Sequence, residues 1–321
     1  MCRKKASNTP KISGGSFMKY EEWLQQWLSN FIKPSVKSRT HERYALIVGR
    51  HLSPKIGQYE IADLSPFVLQ RYVSELLSEG NLKNGKGLAP NTVNVVITII
   101  QNSLHIAYSL GLIPTYTADK IRRPKTIENK VECFTLTEQK RIEQAILFSK
   151  KDKLYGIMLC LYTGLRIGEV IALQWTDIDL KKGILTISRA AHDGRAGIIL
   201  DEPKTTSSRR VIPFPKQLLP MLKGLKRRSD SPFVVSASGK PVSVRSYQRS
   251  FELLLKKLKI PHKGFHSLRH TFATRALECG MDVKTLSEIL GHQNPTITLK
   301  RYAHSLMDHK TAMMNRLGKL L

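Results

Sequence analysis

Apolar residues recur three and four positions apart along the first third of the chain, which is the spacing that buries one face of an α-helix. They predict four helices, in segments 17–31, 37–54, 65–80 and 88–111. The third segment has Ser65 as N-cap, Pro66 at its first helical position and Gly80 at its end, which is a typical helix start and stop. Because no alternating pattern interrupts these helices, the sequence predicts an all-α domain over residues 18–118, preceded by a flexible basic arm over 1–17.

A basic, proline-containing segment, IRRPKTIENK, follows and predicts a linker over 119–130. A second domain is expected over residues 131–321, beginning with a helix whose N-cap we expect to be Thr137. An apolar helix then ends at Gly164, and RIGEVIALQW predicts another directly after it.

The apolar pattern changes from helical to alternating between residues 183 and 214. GILTISRAA, AGIILDEP and SRRVIPFP predict three short strands, joined by HDG and KTTS. Helices return from Arg245 to the C-terminus. The predicted fold class is therefore multidomain and mainly α, with a four-helix N-terminal domain and a mixed α/β second domain that contains a small three-stranded antiparallel sheet.

The charge balance indicates a nucleic acid as partner. The chain has 52 Lys and Arg against 25 Asp and Glu, a formal net charge of +27. Residues 1–130 hold 19 basic and 9 acidic residues (net +10), and residues 131–321 hold 33 and 16 (net +17). Because both halves are basic, a polyanion that contacts both domains explains the charge better than a single basic tail does. A membrane surface fits less well, because no strongly amphipathic Lys-rich helix stands apart.

The four cysteines are scattered, with no CxxC pair, which disfavours a zinc ribbon or a disulfide framework and fits a reducing compartment. No apolar run is long enough to span a membrane, and MCRKKASNTPKISGG lacks the apolar stretch of a signal peptide. We therefore expect a cytoplasmic, nucleoid-associated protein.

Two motifs of the second domain combine arginine with helix termini or histidine. In TGLRIGE, Arg166 begins a helix, where backbone N–H groups favour an anion; the alternative is a surface arginine. In HSLRH, His266 and Arg269 share a helical face and could bind a phosphate. The alternatives there are partly buried structural histidines, or a metal site made by His266, His270 and His292. A metal is disfavoured by the intervening arginine and by the absence of an HExxH motif.

Three further residues complete a set. His292 follows Gly291 in a turn, Tyr302 lies in TLKRYAH, and Lys204 lies between two predicted strands. In chain order these residues read R…K…HxxR…H…Y. Together they supply the side chains needed to cleave a phosphodiester without a metal. The cations neutralise the charge that develops on the phosphate, and tyrosine, a weak nucleophile at its ordinary pKa, needs that setting or a base such as His266. Lys204 is a suitable proton donor for the departing 5′ oxygen.

These motifs resemble those of the tyrosine recombinase (phage integrase) superfamily. TGLRIGEVIAL resembles its first arginine box, the segment from HSLRH to TLKRYAH resembles its second, and EPKTTSSRRVIPFP resembles its lysine-bearing hairpin. The resemblance covers nearly the whole chain and implies no cofactor and no metal. It implies six catalytic residues, namely Arg166, Lys204, His266, Arg269, His292 and Tyr302, with Glu169 orienting the arginines.

The resemblance also implies a two-domain clamp on double-stranded DNA. Tyr302 would form a 3′-phosphotyrosyl link, and a homo-tetramer would exchange strands of two duplexes through a four-way junction, with accessory excision or host DNA-bending factors as candidate partners. Integration and excision of a phage or conjugative element is the first interpretation, and resolution of chromosome or plasmid dimers is the alternative. Only a short segment precedes the helical domain, so we expect no separate arm-binding domain. Helix position suggests DNA contacts at Lys37, Arg39, Thr40, Arg43, Asn91, Thr92 and Asn94.

Three rival classes remain open from the residues. A type IB topoisomerase shares the catalytic group, a helix-turn-helix regulator would explain the charge but not TGLRIGE or Lys204, and a metal-dependent nuclease lacks an acidic cluster to hold Mg²⁺. After Tyr302, an apolar stripe over 306–320 predicts a tail helix that docks on a neighbouring protomer or caps its own domain.

Overall fold

The computed structural model describes residues 18–126, 132–149, 151–194, 197–201, 209–237, 239–292, 294–302, 314–315 and 318, with backbone only at 297 and 300–302. The chain divides into two compact units, a helical unit over 1–128 and a second unit over 129–321. Among the described residues, no helix is both long and apolar enough to cross a membrane.

The helical unit confirms the four predicted helices, two of which continue through π-helical turns. The turns at Leu28–Ile32 and Val48–Leu52 connect α1 to α2 and α3 to α4. Ser65 caps α5 by accepting a hydrogen bond from Val68 N (3.3 Å). The helices are α1 (Tyr20–Trp27), α2 (Lys33–Ser35), α3 (Ser38–Ile47), α4 (Ser53–Ile56), α5 (Pro66–Glu79) and α6 (Pro90–Ser109).

Large apolar side chains, among them Trp23, Trp27, Leu69 and Ile97, form the core of this unit. Apart from a bridge between Lys19 and Glu60, its described residues contain no β-structure.

The second unit is also mainly helical. Its helices are α7 (Leu136–Leu147), α8 (Tyr155–Thr163), α9 (Ile167–Ala172), α10 (Leu219–Arg228), α11 (Val244–Lys257), α12 (His266–Glu278), α13 (Val283–Leu290) and α14 (Pro295–Tyr302). The apolar helix α8 is buried along nearly its whole length and packs against α9 and α12. Two of the helices that carry predicted site residues, α9 and α12, are therefore packed on a helix in the middle of the core.

The N-cap of α7 is Thr135, so the prediction of Thr137 was wrong. Thr135 Oγ1 accepts from the backbone N–H of Glu138 (3.1 Å), and Glu138 Oε2 accepts from the backbone N–H of Thr135 (2.8 Å). This reciprocal pair needs threonine three residues before glutamate, a spacing that Thr135 has and Thr137 lacks.

The strands are β1 (Ile178–Asp179), β2 (Ile184–Ile187), β3 (Ala190–Gly194), β4 (Gly197–Asp201), β5 (Arg210–Pro213), β6 (Ser236–Ala237) and β7 (Lys240–Pro241). The small three-stranded antiparallel sheet is confirmed, in the order β1-β2-β5, with Leu185 opposite Ile212. The strands β3 and β4 form a separate antiparallel pair, and so do β6 and β7.

The predicted membership of the sheet was wrong in two respects. GILTISRAA breaks at Ser188 and Arg189 into β2 and β3, and the predicted second strand, β4, pairs with β3 outside the three-stranded sheet. HDG is the end of β3 and not a turn, since Asp193 pairs with Ile198. The carboxylate of Asp193 also accepts from the backbone N–H groups of Val244 and Arg245 (2.8 and 3.1 Å), which ties this strand to the start of α11.

Candidate active site

Three arginines of the second unit, here called the arginine cluster (Arg166, Arg210 and Arg269), donate hydrogen bonds to the C-terminal end of α13. The last carbonyls of a helix have no partner within the helix and carry its negative dipole end, so cations are favoured there. Gly291 ends α13 with φ of +65°, a left-handed conformation that glycine adopts without strain. The three bonds run from Arg210 Nε to the carbonyl of Ile289 (2.6 Å), from Arg269 Nη2 to that of Leu290 (2.7 Å) and from Arg166 Nη2 to that of Gly291 (3.1 Å).

Glu169 joins two members of this cluster. Its carboxylate accepts from the Arg166 backbone N–H and from Arg166 Nη1, each at 2.8 Å. It also accepts from both terminal nitrogens of Arg210, at 3.0 and 2.9 Å. Burial raises the pKa of the Glu169 carboxyl, but the hydrogen bonds and charge of Arg210 and the charge of Arg166 outweigh it and lower the pKa to about 2. Glu169 is therefore ionised and holds the two guanidinium groups side by side.

Arg269 links the ends of two helices to His292. It is only 2% exposed, and its Nη1 donates to the carbonyl of Gly164 (2.8 Å), the residue that ends α8. Its Nη2 lies 2.9 Å from His292 Nε2. The other ring nitrogen of His292, Nδ1, lies 2.7 Å from the hydroxyl of Thr298 on α14.

Gly164 has φ of +67°, and a Cβ added there would lie 2.5 Å from the ring of Phe272. The turn between α8 and α9 therefore needs glycine both for its conformation and for its close approach to α12. This turn delivers Arg166 to the N-terminus of α9 and the Gly164 carbonyl to Arg269.

The structure thus brings together four of the predicted site residues, Arg166, Glu169, Arg269 and His292. His266 opens α12 one turn before Arg269, and its ring meets that of His270 edge to face, with 4.6 Å between centroids. Within the described ranges no three His, Cys, Asp or Glu side chains are grouped so as to hold a metal ion. Lys204 lies outside the described residues, and Tyr302 is described only as the last residue of the α14 backbone.

Two residues of this site were missed from the sequence, Arg210 and Thr298. Arg210 could have been suspected, because it lies two positions before the buried Ile212 and so shares the inward face of β5. Thr298 gives a weaker signal: it lies four residues before Tyr302, which places both positions on one face of a helix.

The predicted DNA contacts of the helical unit lie at two helix starts. Lys37, Arg39 and Arg43 are exposed at and near the start of α3, with Thr40 partly buried between them. Asn91 and Thr92 lie in the first turn of α6. Asn94 has a structural partner, because its side-chain amide donates to the carbonyl of Pro124 (3.3 Å) in the segment that follows this domain.

The helical unit and the second unit with its arginines and histidine both lie in segments that models of known protein families match. The model of the phage integrase family matches residues 135–309, and the model of the phage integrase N-terminal SAM-like domain matches residues 19–77. The chain therefore belongs to the phage integrase family. It is a tyrosine-type site-specific recombinase, an enzyme that binds, cleaves and rejoins DNA.

Two curated relatives match most of this chain. The chain is 28% identical over 332 residues to a protein of Caldanaerobacter subterraneus subsp. tengcongensis named tyrosine recombinase XerC-like, covering 92% of this chain and 82% of the relative. It is also 28% identical over 313 residues to the transposase from transposon Tn916 of Enterococcus faecalis, covering 90% of this chain and 75% of the relative.

Two solved structures share the fold. The Tn1549 transposon integrase in complex with a circular intermediate DNA superposes with a TM-score of 0.79 at 22% identity, covering 94% of this chain and 99% of the other. A λ integrase tetramer bound to a Holliday junction superposes with a TM-score of 0.66 at 19% identity, covering 87% and 79%.

Proposed function

We propose that this recombinase cleaves DNA through a 3′-phosphotyrosyl intermediate on Tyr302 and integrates and excises a mobile element. The observation that carries the proposal is the convergence of Arg166, Arg269 and His292 at the C-terminal end of α13, with Glu169 bonded to Arg166. A group of positively charged donors fixed before the substrate arrives is what stabilises a phosphoryl-transfer transition state in the absence of a metal.

In the proposed reaction, the oxygen of Tyr302 attacks the phosphorus, so that a P–O bond to tyrosine forms while the P–O5′ bond breaks. His266 accepts the phenol proton, and Lys204 gives a proton to the departing 5′ oxygen. Because one phosphate ester replaces another, a 5′ hydroxyl can later reverse the step without ATP.

The geometry suggests how the phosphate is bound. Arg166 has the most exposed side chain of the arginine cluster, at 35%, so it can meet a phosphate directly. Arg269 Nη2 and His292 Nε2 lie 2.9 Å apart, and a phosphate oxygen placed against both can accept a hydrogen bond from each. Glu169 keeps Arg166 oriented while the phosphate enters.

Strand exchange in a homo-tetramer through a four-way junction is part of the same proposal. It is supported by the fold shared with λ integrase, which has been solved as a tetramer bound to a Holliday junction. Lys37, Arg39, Thr40, Arg43, Asn91 and Thr92 are the proposed DNA contacts of the helical unit.

The first experiment uses DNA duplexes taken from the ends of mobile elements of the host. Each duplex is nicked near the cleavage site, so that the short fragment released by cleavage diffuses away. The wild-type protein should form an SDS-resistant adduct with DNA, with or without EDTA, and Tyr302→Phe should form none. Tyr162→Phe, which removes a phenol hydroxyl elsewhere in the second unit, is the control and should keep the adduct. An adduct of undiminished yield in Tyr302→Phe would sink the assignment.

Resolution of chromosome or plasmid dimers is a second candidate, because the XerC-like relative covers as much of the chain as the transposase does. Covalent adducts trapped in host cells and mapped along the genome distinguish the two. Integration and excision predict adducts at the two ends of one mobile element, whereas dimer resolution predicts a single site that borders no element.

A further inference from the structure

Thr298 is a fully buried polar residue next to the proposed phosphate site. It is 0% exposed, and its hydroxyl lies 2.7 Å from His292 Nδ1. Buried hydroxyls are nearly always hydrogen-bonded, because an unpaired one is costly. The hydrogen bond joins two different elements, because His292 lies in the turn after α13 and Thr298 lies in α14.

The partners of His292 define which ring nitrogen carries its hydrogen. Arg269 Nη2, 2.9 Å from Nε2, can only donate, so Nε2 accepts. A neutral imidazole then carries its hydrogen on Nδ1 and donates it to Thr298 Oγ1.

A phosphate changes what His292 must do. If a phosphate oxygen becomes the acceptor for Arg269, Nε2 has to donate to that oxygen as well, and a neutral ring then releases its hydrogen at Nδ1 and takes one up at Nε2. A hydroxyl can follow this change, because it both accepts from an N–H and donates to a bare nitrogen. A carbonyl oxygen in the same place could only accept, so it could bind His292 only while Nδ1 carries the hydrogen.

The same hydrogen bond also bears on the nucleophile. Position 302 follows position 298 by four residues on α14, so the two positions lie on one helical face. Rotation of α14 about its axis would break the bond to His292 and would move position 302 with it.

We propose that Thr298 is a positioning residue that holds the ring of His292 and fixes the rotation of the helix that carries Tyr302. The proposal rests on the proposed function, in which His292 binds the phosphate and Tyr302 attacks it.

The test compares Thr298→Val, which keeps the shape and loses the hydroxyl, with Thr298→Ser, which keeps the hydroxyl. Thr296→Val is the matched control, because Thr296 is an exposed threonine on the same helix. In single-turnover cleavage of a nicked duplex, we expect Thr298→Val to be slower by a factor of ten or more, on the order of one hydrogen bond to a charged or reacting group. Thr298→Ser and Thr296→Val should stay within about threefold of wild type, since both keep the Thr298 hydroxyl bond.

Nitrogen-15 NMR of the histidine side chains supplies a second readout that stability alone would not move. In the wild-type protein without DNA, His292 should carry its hydrogen on Nδ1, and in Thr298→Val the Nδ1 signal should shift because that hydrogen loses its acceptor. The proposal is overturned if wild-type His292 is protonated on Nε2 alone, or if Thr298→Ser is as slow as Thr298→Val. An adduct that persists in Tyr302→Phe would instead defeat the proposed function and leave the NMR result standing.

Discussion

The members of the arginine cluster differ in how far solvent reaches them. The Arg166 side chain is 35% exposed, that of Arg210 is 6% exposed, and Arg269 is 2% exposed as a residue. Arg166 is thus the member that an incoming phosphate can reach first. Arg210 donates hydrogen bonds to Glu169 and to the end of α13, so it supports the carboxylate that orients Arg166 and the helix end that Arg269 contacts.

We predict that Arg166→Lys reduces cleavage by about 10²-fold or more, the loss typical of removing one transition-state hydrogen-bond donor. Lysine keeps the charge, but its single nitrogen cannot reproduce the planar group that reaches Glu169 and Gly291 at once. Arg189→Lys is the control, because Arg189 pairs with Asp177 at 3.0 Å and is 32% exposed, close to Arg166. Single-turnover rates measure both, and near-wild-type cleavage by Arg166→Lys would make Arg166 a structural residue.

Glu169→Gln should destabilise the second unit at neutral pH by about 3–5 kcal/mol, since it leaves the buried Arg210 without its counter-charge. The effect should depend on pH. The folded-state pKa of Glu169 is lowered from 4.5 to about 2, so the stability that its charge contributes is complete above pH 4.5 and is lost as the pH falls through 2.

Urea unfolding between neutral pH and pH 2 checks this dependence. The stability of the wild-type protein should fall towards that of Glu169→Gln as the solution is acidified. A difference between the two proteins that stays constant with pH would mean that the charge of Glu169 does not matter to folding.

Individual residues of the site could be singled out from the sequence where their signal is local. Arg166 and His292 follow glycines that end helices, and Glu169 lies three residues after Arg166, so motif spacing alone brings them to notice. Arg210 was missed because its partners are distant in the sequence, and Thr298 because a single threonine inside a helix gives only a weak signal. Arg210 bonds to residues 41 and 79 positions away, and no local pattern reports such contacts.

At the scale of elements, helices were predicted better than strand pairing. Helical periodicity is a property of one segment, whereas alternation identifies a strand and leaves its partner undefined. GILTISRAA was predicted as one strand, yet Leu185 pairs in one sheet and Ala191 in another, because the chain turns away at Ser188 and Arg189. Which part of GILTISRAA joins the three-stranded sheet depends on β1 and β5, which precede and follow this segment in the chain.

The cap of α7 gives a quantitative test of an element boundary. Thr135→Ala should lower the unfolding free energy by about 1 kcal/mol, because it removes the side chain that accepts the Glu138 N–H. Thr137→Ala lies inside the helix, where alanine is the better helix former, and should be neutral or slightly stabilising. Equal losses for the two variants, measured by chemical denaturation, would contradict the capping box.

At the scale of the whole molecule, the formal net charge of +27 is shared between the two halves of the chain. We expect DNA binding with a slope of log K against log salt of about −5 or steeper, because each phosphate neutralised by Lys or Arg contributes roughly −0.9. If Arg43, an exposed residue of α3, contacts a phosphate, Arg43→Gln should make the slope shallower by roughly 0.9, the contribution of one phosphate contact. A nearly flat plot would show that most of the charge faces away from DNA.

The tail helix predicted after Tyr302 falls almost wholly outside the described residues, of which only Met314 and Asn315 are helical there. Docking on a neighbouring protomer therefore stays a prediction. Truncation after Asp308 should preserve folding and binding of a single half-site while it abolishes cooperative pairing on a full site. If the shortened chain unfolds, the helix belongs to its own core.

The amino acid that becomes joined to DNA can be identified directly. The adduct formed on a nicked duplex is digested with trypsin and nuclease, and the modified peptide is sequenced by mass spectrometry. Cleavage after Arg301 and Lys310 gives the peptide YAHSLMDHK, in which Tyr302 is the only tyrosine. We predict a nucleotide joined through its 3′ phosphate to Tyr302 of this peptide, formed equally well in EDTA. A nucleotide on any other residue, or DNA cleavage without a covalent adduct, would contradict this prediction.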